Sequence, residues 1–462
     1  MFKPWYYDIR FWIITFFLIR LIGITNPPIE NTHAWRQVTG LMIARNFYET
    51  EANILYPRLD NAGNLSGITG TEFPLMNYAI FLVAKIFGWQ HWYGRLINLI
   101  VSSIGICYFF RLVERFFSYK TAFYASLVLL LSAWFMYSRK TTPDTFSTSL
   151  VIMGLWYAFE YFKQGSFKNL IAFFLLALAG ILSKIPAGFL LVVLALPVLS
   201  YNFLMARKAA IIITGALILL VTGAWYFYWV PYLVEKYGFW HYYMGSGFRE
   251  GFESLINNLD ATLHKFHSAA MNIAGFILFL AGIVVAFYRK NWLILQVLGI
   301  CFAAFFVFML KAGWAFHHHG YYILPFVPVM ALLAGFALGE IKVKWLQKLV
   351  LAIIVIDGIG SQYHDFALPE KNRYLTNLEH IADKFSSKKD LIIITGGDNP
   401  AQLYMAHRKG WTVDAQKAQD ADYIKELQQK GAAFLFTNKN EVSKKLGYKL
   451  IYEDDFYFVY QL

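Results

Sequence analysis

Charge and cysteine are the two things this chain has little of. Only 15% of its 462 residues are charged, whereas a soluble domain carries about a quarter. A freely soluble enzyme is thereby excluded. The two cysteines, Cys107 and Cys301, both lie inside apolar runs. They read as small buried hydrophobes rather than a disulfide or a metal pair, and they leave the redox compartment open. Acidic residues are scarcer than basic ones, 29 against 41. That excess could suit nucleic acid, but no basic patch is interleaved with aromatics in a soluble stretch, so no nucleic-acid partner is expected. Internal repeats and low-complexity segments are also missing. What is plentiful is hydrocarbon: 58% of the residues are hydrophobic, in many runs that approach the roughly 20 residues needed to cross a bilayer. The chain reads as a polytopic α-helical membrane protein.

The first apolar run, 9–25, follows Lys3 and Arg10 and lacks a small-residue cleavage site, so it is expected to remain as an anchor. Asn26-Pro27-Pro28 ends it, because proline removes a donor and disfavours helix in the residue before it. Residues 26–94 form a first external loop with amphipathic helical stretches. Later spans are expected at 95–117, 119–138, 144–163, 168–184, 186–204, 209–231, 270–289, 291–311, 320–340 and 344–362. With the short run 74–88 lying along the membrane, the basic linkers 111–120, 163–168, 207–208, 289–290 and 342–348 all fall on one side. The positive-inside rule makes that side cytoplasmic. About eleven spans result, with the amino terminus inside and the carboxyl terminus outside. Residues 1–362 then form a membrane domain and 363–462 a small external α/β domain. Its strands are expected at 391–394, 432–436 and within 448–460, and its helices at 373–385, 400–407 and 420–429. Gly396-Gly397-Asp398-Asn399 lacks the spacing of a nucleotide fingerprint and reads as a strand-to-helix turn.

This topology gathers the polar constellations on the outer side. Ile29-Glu30-Asn31-Thr32-His33-Ala34-Trp35-Arg36-Gln37 puts a carboxylate, an imidazole, an indole, a guanidinium and an amide at a membrane surface. Such a cluster is either an interfacial belt or a site for chemistry on a charged group. His33 is a satisfied interface residue, a phosphate ligand or a base. Asp144, after Pro143 and near Arg139 and Lys140, caps a helix or does chemistry, and the two are compatible. Lys184, ahead of Pro186, either snorkels or holds a phosphate at headgroup depth. In His317-His318-His319 adjacent rings project in different directions, which suits hydrogen bonds to phosphate or sugar, with Tyr321 and Tyr322, better than a metal. A transporter would place such groups near mid-membrane.

These segments, in this order, resemble the GT-C superfamily of integral-membrane glycosyltransferases. The likeness is to the bacterial branch related to protein O-mannosyltransferases and the lipid A aminoarabinose transferase. Glu30-Asn31-Thr32-His33 stands where that family carries an acidic pair. Thr142-Pro143-Asp144 matches its Pro-Asp, Lys184-Ile185-Pro186 its Lys-x-Pro, and Tyr321-Tyr322-Ile323-Leu324-Pro325 its aromatic run. One carboxylate of the pair is replaced by Asn31, which leaves open whether a divalent metal (Mg or Mn, on Glu30 and Asp144) assists or Glu30 acts alone.

The resemblance implies transfer of a sugar from a polyprenyl-phosphate-linked donor to a glycan, lipid or protein acceptor. The reaction is placed at the outer face of the cytoplasmic membrane. Glu30 is then expected as the base, with Asp144 its helper. His33, Arg36, Arg139, Lys184, His318, His319 and Tyr322 would hold the donor phosphate or substrate. A lipid-linked-sugar flippase is the alternative, and a non-catalytic envelope scaffold the third reading.

Overall fold

A computed structural model describes residues 5–30, 33–239 and 245–462. Asn31 and Thr32 of the opening cluster lie outside the described residues. The chain forms two compact units. The first comprises the described parts of Met1–Ile24, Arg95–Tyr226 and Tyr243–Phe366. The second comprises Thr25–Gly94, Phe227–Tyr242 and Ala367–Leu462.

The first unit is helical. Among the described residues of the whole chain, five helices are long and apolar enough to cross a membrane: Tyr93–Phe116, Met205–Tyr237, Trp292–Ala312, Gly320–Glu340 and the run Lys344–Phe385, whose apolar part is the α-helix Lys344–Gln362. Leu259–His267 and Asn272–Tyr288 form a further candidate bent by 89°. Tyr119–Leu131, Phe167–Ser183 and Ile185–Leu199 are apolar but shorter, and so is Leu75–Phe87 in the second unit. The centre of the first unit is the helix Val327–Glu340, buried over nearly its whole length. It meets Tyr119–Leu131 at Gly335, where a Cβ would lie 2.2 Å from the Ala125 nitrogen. Without water to drive helices together, close approach of this kind supplies the packing energy. Two breaks matter for the site. Ser132 separates Tyr119–Leu131 from the short helix Ala133–Tyr137. Lys184, in extended conformation, separates Phe167–Ser183 from the 3-10 helix Ile185–Leu194, which Pro186 starts.

The second unit holds the helices Ala34–Glu49 and Leu75–Phe87 and a five-stranded sheet. The strands are β1 (Leu391–Thr395), β2 (Lys409–Val413), β3 (Ala432–Asn438), β4 (Lys449–Glu453) and β5 (Tyr457–Gln461). Their order is β2-β1-β3-β5-β4, parallel across β2-β1-β3 and antiparallel across β3-β5-β4. Ile392, Ile393 and Ile394 are fully buried, as a strand covered on both faces should be. The amides of Gly396 and Gly397 both donate to the Val413 carbonyl, each at 3.0 Å. The turn after β1 therefore spends its donors on the edge of the sheet. Thr25–Gly94 and the carboxyl-terminal Ala367–Leu462, far apart in sequence, thus belong to one unit.

Candidate functional site

Two groups of polar side chains stand out, one in each unit. In the first unit, Asp144 lies in the opening turn of Pro143–Gln164, whose preceding residue Thr142 is extended. Proline at the first helical position and a carboxylate in the first turn both suit a helix start. Asp144 is fully buried, and neither of its carboxylate oxygens accepts a hydrogen bond among the described residues. Native structures rarely leave a buried acceptor so. Lys184 Nζ stands 3.5 Å from Asp144 Oδ1, and both side chains are almost wholly enclosed. The ammonium also lies 5.0 Å from the Tyr321 ring centre and 5.6 Å from that of Tyr322. His319 stacks on both rings, at 5.2 and 5.8 Å. The break at Lys184 is what turns its ammonium towards Asp144 and the tyrosines rather than along a continuous helix.

The loop before Asp144 is fixed by a residue that sequence reasoning passed over. The Asn98 carboxamide donates to the carbonyls of Tyr137, Lys140 and Thr142 at 3.1, 2.9 and 3.2 Å. Its oxygen accepts from Thr145 and Ser102. A lone Asn within an apolar run was the only signal. Arg139 is buried too, donating to the Asp365 carbonyl and the Ile22 carbonyl, each at 2.9 Å, with Phe366 beneath it at 4.6 Å. Lys140 pairs with Asp365 at 3.2 Å, both fully enclosed. The three histidines diverge as adjacent residues must. His317 is buried, its Nδ1 without a hydrogen-bond partner among the described residues; His318 is exposed and meets the Trp314 carbonyl, and His319 turns to the tyrosines.

In the second unit, Glu30 is buried and Gln37 Nε2 donates to its Oε2 at 3.2 Å. His33, in left-handed conformation, precedes the helix Ala34–Glu49. Arg36 forms an ion pair with Glu72, which also accepts from Thr71. Further along the helix, Arg45 and Asp60 pair at 2.9 Å in full burial, and Asn46 donates to the same carboxylate. Arg45 also lies over the Tyr404 ring at 4.3 Å. His407 bridges Glu379 at 2.6 Å and Glu49 at 3.0 Å. The His407 bond, foremost, holds the Glu379 carboxyl down to about 2. Burial works against charge on His407, but its two carboxylate partners outweigh that and raise it.

Among the described residues no three His, Cys, Asp or Glu side chains converge on one point, and the position beside Asp144 is taken by an ammonium. An apolar cavity of about 440 Å³ lies elsewhere in the first unit, lined by Phe109, Val113, Leu155, Phe162 and Cys301 with Arg115 at its edge.

Comparison with known proteins bears on the fold. Residues 71–229 match the family described as dolichyl-phosphate-mannose-protein mannosyltransferase. No curated relative matches by sequence. Among solved structures, the fold is similar to ArnT from Cupriavidus metallidurans in the apo state, with a TM-score of 0.63 and 14% identity over 98% of each chain. The undecaprenyl phosphate-bound form of ArnT gives a TM-score of 0.62 at 13% identity, over the same share of each chain. The archaeal oligosaccharyltransferase AglB from Archaeoglobus fulgidus, in complex with an inhibitory peptide and a dolichol-phosphate, gives 0.55 at 12% identity. That match covers 94% of this chain and 70% of the other. The resemblance to GT-C membrane glycosyltransferases is thus upheld by the fold of nearly the whole chain and by a family match over residues 71–229.

Proposed function

We propose that this protein is a glycosyltransferase that takes a sugar from a polyprenyl-phosphate donor and delivers it to an acceptor at the outer face of the membrane. The observation that carries the reading is the Asp144–Lys184 pair: a buried carboxylate with no hydrogen bond among the described residues, beside an ammonium flanked by two tyrosines. The similarity to structures that hold undecaprenyl phosphate and dolichol-phosphate supports the donor class.

In this reading the acceptor hydroxyl attacks the anomeric carbon. The bond from that carbon to the phosphate oxygen breaks, and the lipid phosphate departs with the electron pair. The acceptor's proton passes to Glu30, and configuration inverts. Lys184 supplies positive charge for the leaving phosphate, the kind of fixed electrostatic help that acts where charge develops. Asp144 holds that ammonium in place. Arg36, His319 and Tyr322 bind the phosphosugar. Inverting displacement brings acceptor and leaving group to opposite sides of the anomeric carbon.

The test is Glu30→Gln, which keeps size and shape. Loss of a general base costs about 10²–10⁴ in rate. Sugar transfer measured in membranes with a defined polyprenyl-phospho-sugar should fall by that factor while donor binding persists. Turnover near wild type would remove Glu30 as the base. Retained movement of labelled donor across the bilayer without any transfer by the wild-type protein would favour a flippase instead.

A further inference from the structure

The α/β domain holds the first external loop at several points within the second unit. His407 reaches Glu49, the Tyr404 carbonyl accepts from Arg45, and the Gly410 amide and carbonyl bond to Asp60 and Gly63. One contact lies at the reacting end. Asn372 Nδ2 donates to the Ile29 carbonyl at 2.7 Å. Asn372 sits in the 3-10 helix Glu370–Asn377, and its own amide is tied to the Pro369 carbonyl at 2.9 Å.

The Ile29 carbonyl and the Glu30 nitrogen belong to the same planar peptide group. Holding that carbonyl fixes the plane from which the Glu30 side chain departs. Pro27-Pro28 upstream already restrict the approach of the chain. At the far end of the side chain, Gln37 holds the carboxylate through Oε2. Glu30 is therefore gripped at its backbone and at its head, by residues from two different parts of the chain.

We infer that Asn372 is a positioning residue for Glu30, so that the α/β domain forms part of the frame of the transfer site. This rests on Glu30 being the base. The contact needs a donor: an aspartate of the same shape would set a carboxylate oxygen against the Ile29 carbonyl.

The experiment compares Asn372→Ala, Asn372→Asp and Asn372→Gln in the full-length protein in membranes. A misplacement of about 1 Å costs up to 10²-fold in rate. The Ala variant should lose about 10- to 100-fold in kcat with donor KM within about twofold. The Asp variant should be at least as slow, despite its matching size, and Gln should recover part of the rate. Wild-type kcat in both Ala and Asp overturns the inference. So does a loss shared by KM and thermal stability with Gln no better than Ala. Adding Asn372→Ala to Glu30→Gln separates the two readings. If Glu30→Gln is slow and the second change slows it no further, both stand. If the second change slows it by its full factor, Asn372 acts elsewhere and only the Glu30 reading survives. A Glu30→Gln protein that turns over normally sinks both.

Discussion

At the scale of the residue, Lys184 decides most. An ammonium so enclosed is costly unless paired, and its partner Asp144 lies on a different helix. Lys184→Ala leaves that carboxylate without its cation. Donor KM should rise about tenfold or more, and kcat should fall as leaving-group stabilisation goes. Lys184→Arg keeps the charge in a planar, bulkier group and should retain part of the activity. Steady-state kinetics on both variants, with thermal unfolding run alongside, reads the outcome. Unchanged kinetics with a lowered Tm would leave Lys184 as a structural partner of Asp144 and nothing more. Lys184 and Asp144 were each legible in the sequence, because a charge at the end of an apolar run is expensive wherever it falls. Their pairing was not legible, nor was that of Arg36 with Glu72, since contacts between separate elements depend on how helices cross.

At the scale of the element, the helix Ala34–Glu49 stands where a helical stretch was expected in 26–94, but it is not amphipathic: polar Gln37, Arg45 and Asn46 are buried along with Val38, Leu41 and Phe47. In the α/β domain, Leu391–Thr395, Ala432–Asn438 and the two strands near the carboxyl end fall where β-branched and aromatic runs placed them. The strand Lys409–Val413 was missed: it is short, opens on Lys-Gly and draws its strand character from its register with β1. A Cβ at Gly410 would lie 1.8 Å from the Ile392 carbonyl oxygen, so that glycine serves the sheet rather than breaking it.

The clasp of His407 on Glu379 and Glu49 gives this unit part of its pH dependence. The folded-state value of His407 is raised above the ordinary 6.5. Its contribution is therefore fully present below that value and is lost as pH rises through the raised one. Glu379 is depressed from 4.5 to about 2. Its contribution is present above 4.5 and is lost as pH falls towards 2. The clasp should be strongest between about pH 4.5 and 6.5. His407→Gln should lower Tm by about 2–4 °C in that window, the effect of about 1 kcal/mol for a partly screened network. The difference should shrink on the alkaline side. A Tm deficit that stays constant from pH 5 to pH 9 would show that the charge on His407 contributes nothing.

At the scale of the whole molecule, everything proposed depends on which segments face the same compartment. Length and apolarity single out five long helices, while several expected spans are broken or short. Helix length alone therefore does not fix the topology, and the basic linkers carry the argument. The decisive segment is Leu75–Phe87, a short apolar helix of 13 residues, well below the roughly 20 needed to span upright. With this helix along the membrane, exposed positions Ala52, Arg249 and Lys430 share the outer side, while Gln164, Lys290 and Lys344 are inside. Single cysteines at these positions, in a background with Cys107 and Cys301 replaced, should divide accordingly. The first three should react with a membrane-impermeant thiol reagent in intact cells, and the last three only after the membrane is opened. A spanning Leu75–Phe87 would split the first group, leaving Ala52 outside and moving Arg249 inside. Gln164 would then label from outside. In that case Glu30 would lie across the bilayer from Asp144 and Lys184, and no single transfer site could contain all three.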